Sequence, residues 1–186
     1  MEAFLVSIAS IALGELGDKT QLLALILATQ LRRPLAVLLG ILAATIANNL
    51  LAALLGQWAG SALSPQVLRW ALGISFLVLA VWVLLPEKSE AAPRARDGYG
   101  AFVVSATAFF MAEMGDKTQI VALALAARFH QLLAVVAGTT IGMMIVNVPT
   151  VLLAEPLTRL VPLKWIRLAA ALVYALLGIV TLLGSR

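Results

Sequence analysis

The sequence contains no cysteine, which excludes a disulfide and a thiolate metal site. It contains one histidine, His130, so the imidazole clusters that commonly hold zinc or copper cannot be assembled. Charge is scarce too. Asp, Glu, Lys and Arg make up 12% of the 186 residues, against roughly 25% in a soluble domain. That shortage argues against a water-facing globule. The ~10-residue alternating segments of a transmembrane barrel are missing. No basic n-region precedes the first apolar run in "MEAFLVS", so a cleaved signal peptide is not expected.

What remains is apolar. The chain is 62% hydrophobic, with a mean hydropathy of +1.04. A bilayer core needs ~20 apolar residues per helix. Six stretches meet that length, at about 4–29, 35–56, 67–85, 102–127, 132–154 and 163–183. Backbone in hydrocarbon must satisfy its own hydrogen bonds, so the expected fold is an all-α integral membrane protein with six transmembrane helices. The pI near 10 is no sign of nucleic-acid binding. The basic residues sit in short loops at helix ends, where they set membrane orientation.

Charges inside the apolar runs are the exception. "GELGDKTQ" spans Gly14 to Gln21, and "AEMGDKTQ" spans Ala112 to Gln119. From Glu to Gln, six of seven residues recur. The offset is 98 residues, and it holds without a gap across much of each half. Phe4 falls on Phe102, Ser7 on Ser105, Gly40 on Gly138, Asn49 on Asn147 and Arg69 on Arg167. The chain therefore divides into repeat 1 (1–85), a charged, breaker-rich linker (86–100) and repeat 2 (101–186). Three crossings per unit is odd, so the second unit starts on the opposite side of the membrane. Two inverted three-helix repeats follow, a plan used by secondary transporters with a midplane site between the halves.

Eight basic residues fall on one side: Arg32, Arg33, Lys88, Arg94, Arg96, Arg159, Lys164 and Arg167. Three fall on the other: Arg69, Arg128 and Arg186. The positive-inside rule places the eight in the cytoplasm and both termini outside. Trp58, Trp70, Trp82 and Trp165 lie near span ends, as interfacial anchors do.

In a continuous helix, residues three or four apart share a face, so Glu15, Asp18, Lys19 and Leu22 would lie together, as would Glu113, Asp116, Lys117 and Val121. Gly17 and Gly115 sit among the acids, where local unwinding would turn carbonyl oxygens toward a buried cavity. Thr20, Gln21, Thr118 and Gln119 adjoin them, and Asn49 and Asn147 add amide oxygens as further candidate ligands. This all-oxygen set suits hard divalent cations. Four carboxylates and two lysines sum to −2, which one divalent cation or two protons would cancel. Intramembrane acids usually mark ion pathways. The plainer reading is that Glu15–Lys19 and Glu113–Lys117 are i, i+4 ion pairs gluing helices. For the asparagines the plainer reading is interhelical hydrogen bonding. For His130 and Glu155 it is a solvated position at a helix end.

The paired E-x-G-D-K-T motifs on the first and fourth of six spans resemble the Ca²⁺/Mn²⁺:H⁺ exchanger family. That family includes Golgi and chloroplast membrane proteins and small bacterial manganese exporters, and is grouped with the LysE superfamily. The resemblance covers essentially the whole chain. It implies a transporter rather than an enzyme, exchanging Mn²⁺ or Ca²⁺ for protons with no cofactor, in the bacterial inner membrane. Glu15, Asp18, Glu113 and Asp116 would be its ion-binding acids. Three other classes stand beside it. A small-solute or amino-acid exporter would need a roomier cavity. An intramembrane metalloenzyme would lack histidine ligands and has no need of an inverted duplicate. A scaffold would tolerate loss of all four acids.

Overall fold

A computed structural model describes residues 1–85, 100–153 and 163–184. The linker expected at 86–100, apart from Gly100, lies outside the described residues, as does Glu155. The described elements are eight α-helices: α1 (Glu2–Glu15), α2 (Lys19–Leu31), α3 (Pro34–Ala62), α4 (Pro65–Trp82), α5 (Ala101–Glu113), α6 (Lys117–Phe129), α7 (Leu132–Leu153) and α8 (Leu163–Leu183). Four are long and apolar enough to cross a bilayer, namely α3, α4, α7 and most of α8.

Local chemistry sets the boundaries. Pro34 and Pro65 open α3 and α4, where a missing N–H costs nothing and the ring presets φ. The Ser64 hydroxyl accepts the Val67 N–H and caps α4. Arg32 and His130 end α2 and α6 in the left-handed region, at φ 50° and 52°. Their N–H groups return to the carbonyls of Ala28 and Ala126. His130 is exposed, as expected of a loop residue.

The stretches 4–29 and 102–127 are not single helices, contrary to the sequence expectation. Each is two helices meeting at the motif. The chain leaves α1 at Leu16 (ψ 113°) and α5 at Met114 (ψ 117°). Gly17 and Gly115 then take φ of 79° and 80°, a conformation that a Cβ opposes. The acids therefore share no helical face. Glu15 and Glu113 close one helix, and Asp18 and Asp116 precede the next.

Packing across the halves is reciprocal. The starts of α2, α3 and α8's counterpart α4, at 19, 34 and 65, recur 98 residues later at 117, 132 and 163. Helix α3 lies along α5 and α6, while α7 lies along α1. At Gly40 an added Cβ would stand 2.6 Å from the Phe102 carbonyl oxygen, and at Gly138 the same distance from that of Phe4. Glycine at both places lets two backbones touch, the usual device where helices have no hydrophobic drive to associate within lipid. Phe76, Phe109, Tyr174, Leu27 and Leu125 fill the centre. Leu172, Leu176 and Val180 on α8, with Ile74, Val78 and Val81 on α4, face outward as apolar stripes. Trp58, Trp70 and Trp165 are exposed and Trp82 is half-buried.

Candidate functional site

The two helix breaks meet at the centre. Glu15, Asp18, Glu113 and Asp116 are each at most 5% exposed. Glu15, Glu113 and Asp116 each offer a carboxylate oxygen, and these oxygens lie within 4.8 Å of one another. Burial at that spacing brings like charges together where water screens them little. A compensating cation is the chemical complement of such a group.

Each break is tied across by its own motif. Thr20 donates to Glu15 Oε2 at 2.7 Å, and Thr118 to Glu113 Oε2 at 2.8 Å. The first hydroxyl of one helix thus holds the last carboxylate of the preceding one. Gln21 Oε1 accepts the Gly17 N–H at 3.0 Å, and Gln119 Oε1 accepts the Gly115 N–H at 2.7 Å. Those amides stand in the turns, and the glutamines satisfy them without water. Gln21 also donates to Thr150 on α7 at 3.0 Å.

The aspartates occupy N-cap positions but make no capping bond. Their carboxylates reach across instead. Lys117 Nζ lies 2.7 Å from Asp18 Oδ1, and Lys19 Nζ lies 3.4 Å from Asp116 Oδ1. Each lysine joins the aspartate of the opposite motif, an arrangement that i, i+4 spacing does not foresee. The pairs are unequal, since the Lys117 side chain is 6% exposed and that of Lys19 is 18%.

One oxygen of each glutamate, Oε1 of Glu15 and of Glu113, is buried without a hydrogen-bond partner among the described residues. Buried carboxylate oxygens in that condition suit a cation or a proton. At each break one helix ends and the next begins, so the carbonyl ends of α1 and α5 and the amide ends of α2 and α6 lie together there.

The amide nitrogens of the two candidate asparagines are engaged. Asn49 Nδ2 lies 3.5 Å from Thr140 Oγ1, and Asn147 Nδ2 donates to the Met143 carbonyl at 3.0 Å. Asn147 Oδ1, the atom that would meet a cation, is buried without a hydrogen-bond partner among the described residues. Sequence reading missed Thr150, Asn48 and Tyr174. Tyr174 is fully buried and its hydroxyl donates to the Ser10 carbonyl at 2.8 Å, against Gly14. Its counterpart 98 residues earlier is Phe76, so the repeat alignment held a signal for it.

The turns also differ in cover. A cavity of about 10 Å³, room for one water, lies beside Leu16, Gly17, Asp18 and Lys117 under Leu85 and Arg167. Met114 and Gly115 in the other turn are exposed.

Comparison with known proteins identifies the family. Residues 3–91 and 101–186 match the family described as divalent cation/proton antiporter GDT1. The chain is 43% identical over 182 residues to a Vibrio cholerae protein named "Putative manganese exporter", covering 97% of this chain and 90% of that one. It is 29% identical over 202 residues to a GDT1-like protein of Synechocystis, covering 97% of each. No solved structure matches. The chain is an integral membrane protein and belongs to the GDT1 family of divalent cation/proton antiporters.

Proposed function

We propose that the protein exports Mn²⁺ in exchange for protons, with Glu15, Asp18, Glu113 and Asp116 as the ion-binding acids. The observation that carries this reading is the buried carboxylate group spanning both motifs. Two metal–oxygen bonds of ~2.1–2.6 Å placed across a hard cation span at most ~4.2–5.2 Å, so three carboxylate oxygens all within 4.8 Å of one another are close enough to share one ion. Oxygen-only ligation suits Mn²⁺ and Ca²⁺ alike. The name of the Vibrio cholerae relative favours manganese.

Exchange follows from charge. The acids and lysines of the two motifs sum to −2 when all are ionised. One divalent cation or two protons neutralise them, so cation and protons compete for the same oxygens. Both the cation and the protons are substrates that pass through.

The architecture belongs to the same proposal. Each short-helix pair, α1–α2 and α5–α6, forms one broken span, giving six spans in two inverted repeats. The reciprocal contacts of Gly40 and Gly138 support a two-fold relation between the units. Broken helices at a central site are the pattern of alternating-access transporters. The eight-to-three basic count puts the termini outside the inner membrane. A small-solute exporter is disfavoured by the tightness of the carboxylate group, beside which a cavity of about 10 Å³ has room for no more than a water.

The test is flux in proteoliposomes. With a pH gradient imposed, Mn²⁺ should move against the protons, and protons should move when Mn²⁺ alone is supplied as a gradient. Mn²⁺ movement indifferent to the pH gradient would overturn exchange. No movement of Mn²⁺ or Ca²⁺ under either gradient would overturn the cation reading.

A further inference from the structure

Arg128 lies near the end of α6 and is half-buried. Its Nη1 donates to the Leu177 carbonyl at 3.1 Å and to Thr181 Oγ1 at 2.5 Å, both on α8. The backbones of α6 and α8 barely touch, so the guanidinium spans the space between them. Glu2, at the start of α1, acts on the same guanidinium through its charge. One arginine thus gathers α1, α6 and α8 on the face where the chain begins. Deeper on that side, the Tyr174 hydroxyl of α8 donates to the Ser10 carbonyl of α1 at 2.8 Å. Gly60 brings α3 up to α6, where an added Cβ would stand 3.0 Å from the Ala127 carbonyl oxygen. Helix α1 ends at Glu15 and α6 begins at Lys117, so both run between this face and the carboxylate group.

The residues 98 positions away, on the opposite face, lack the groups for these ties. Gln30 stands for Arg128, Val83 for Thr181, Gly100 for Glu2, Phe76 for Tyr174 and Ala108 for Ser10. Phenylalanine and valine have no hydroxyl, and Gln30 is exposed. Packing follows the chemistry. Helix α8 lies against α1 and α4 lies against α6, whereas the counterpart pairs, α4 with α5 and α8 with α2, barely touch. On α6, Ala126 and Ala127 are fully buried. Their counterparts on α2 are Ala28, half-buried, and Thr29, exposed. The face where the chain begins is therefore the tighter of the two.

We infer that Arg128 is the latch that holds this face of the ion site shut, and that its guanidinium must leave Leu177 and Thr181 before α6 can part from α8 and admit solvent. On the basic-residue count this is the outer face. Arginine suits the place, because its apolar stem lies along hydrocarbon while its planar head keeps several donors for a carbonyl and a hydroxyl at once. Two gates related by a repeat would otherwise open at similar cost. The latch makes them unequal, and one charge-assisted hydrogen bond weights such an equilibrium about tenfold. Arg128 touches no ion. It is a positioning residue that sets how often the carboxylate group faces outward. This inference rests on the alternating-access reading above.

The test replaces each partner by its own repeat counterpart, as Arg128→Gln and Thr181→Val. The reporters are Ala122→Cys on α6 and Ala24→Cys on α2, at repeat-related positions that are both fully buried. The chain has no other cysteine. It is placed whole in nanodiscs, where both faces meet a water-soluble thiol reagent. Arg128→Gln should speed labelling of Ala122→Cys about tenfold or more, with labelling of Ala24→Cys unchanged or slower. Thr181→Val keeps the arginine and removes one acceptor, so it should speed the same reporter to a smaller degree, and it carries the test if Arg128→Gln does not fold. Unchanged labelling of Ala122→Cys would overturn the latch. So would an equal rise at both reporters, because loosened packing exposes both faces alike. Absence of Mn²⁺ flux from wild-type proteoliposomes would instead overturn the transport reading, which labelling rates do not report.

Discussion

Lys117 Nζ sits 2.7 Å from Asp18 Oδ1 and so ties the second motif to the first. The companion contact, Lys19 to Asp116, is longer at 3.4 Å. On the proposed carboxylate site both lysines hold acids that an arriving cation would need, so they would oppose its binding and assist its release. Replacing a lysine by glutamine removes that competition. Lys117→Gln should raise Mn²⁺ affinity about tenfold, the worth of one charge-assisted hydrogen bond, and slow turnover. Lys19→Gln should do the same more weakly, because its contact is longer and more exposed. Calorimetric Mn²⁺ affinity and proteoliposome flux check this together. Wild-type values of both quantities in both variants would reduce the lysines to structural ties.

The acids admit a sharper test. Glu15→Gln, Asp18→Asn, Glu113→Gln and Asp116→Asn keep shape and remove a charge. Each should lower Mn²⁺ flux by ~100-fold or more, beyond the loss usual for groups that merely orient a ligand. Membrane insertion, followed by yield in the membrane fraction, should not change. Normal flux in any three of the four would refute the carboxylate site.

Backbone conformation at the breaks can be probed separately. An added Cβ at Gly115 meets nothing within 4 Å, so Gly115→Ala introduces only the strain of φ +80°. The cost should be ~1–2 kcal/mol, seen as a lower melting temperature in detergent. Gly115→Asn, which tolerates the left-handed region better, should recover part of it. Equal loss in both variants would point away from backbone strain.

Helix contact makes the fourth prediction. A Cβ at Gly56 would lie 2.1 Å from the Leu123 carbonyl oxygen. Gly56→Ala must separate α3 from α6 and should cost ~1–3 kcal/mol as overpacking does. Gly100→Ala meets nothing within 4 Å and is the neutral comparison. A melting temperature unchanged in Gly56→Ala would contradict the close approach.

Orientation is testable because the chain has no cysteine of its own. Single cysteines at Glu2 and at Ser89 can be exposed to an impermeant thiol reagent in intact cells. Labelling at Glu2 with protection at Ser89 is expected. The opposite pattern would invert the assignment.

Residue types and spacing disclosed the helical class, the apolar runs and the acids, because hydropathy and repetition are properties of sequence. Gly17 and Gly115 hinted at unwinding, yet periodicity still read 4–29 and 102–127 as unbroken. An apolar run looks the same whether its axis continues or turns. The Lys117–Asp18 contact was hidden for another reason. Spacing reports only partners on the same helix, and these residues meet because two distant segments cross. Asn49 and Asn147 were read as possible ligands on chemistry alone; spacing could not say that their amide nitrogens go to Thr140 and Met143, nor that Asn147 Oδ1 is left buried without a partner among the described residues.

The reciprocal fit of Gly40 and Gly138 bears on reversibility. A catalyst of exchange alters rates in both directions by the same factor, whatever its internal asymmetries. Near-equivalent halves make the forward and backward paths resemble each other step by step. The direction of transport is then left to the gradients on the two sides, and a steep enough inward excess of Mn²⁺ over protons would drive the same protein as an importer.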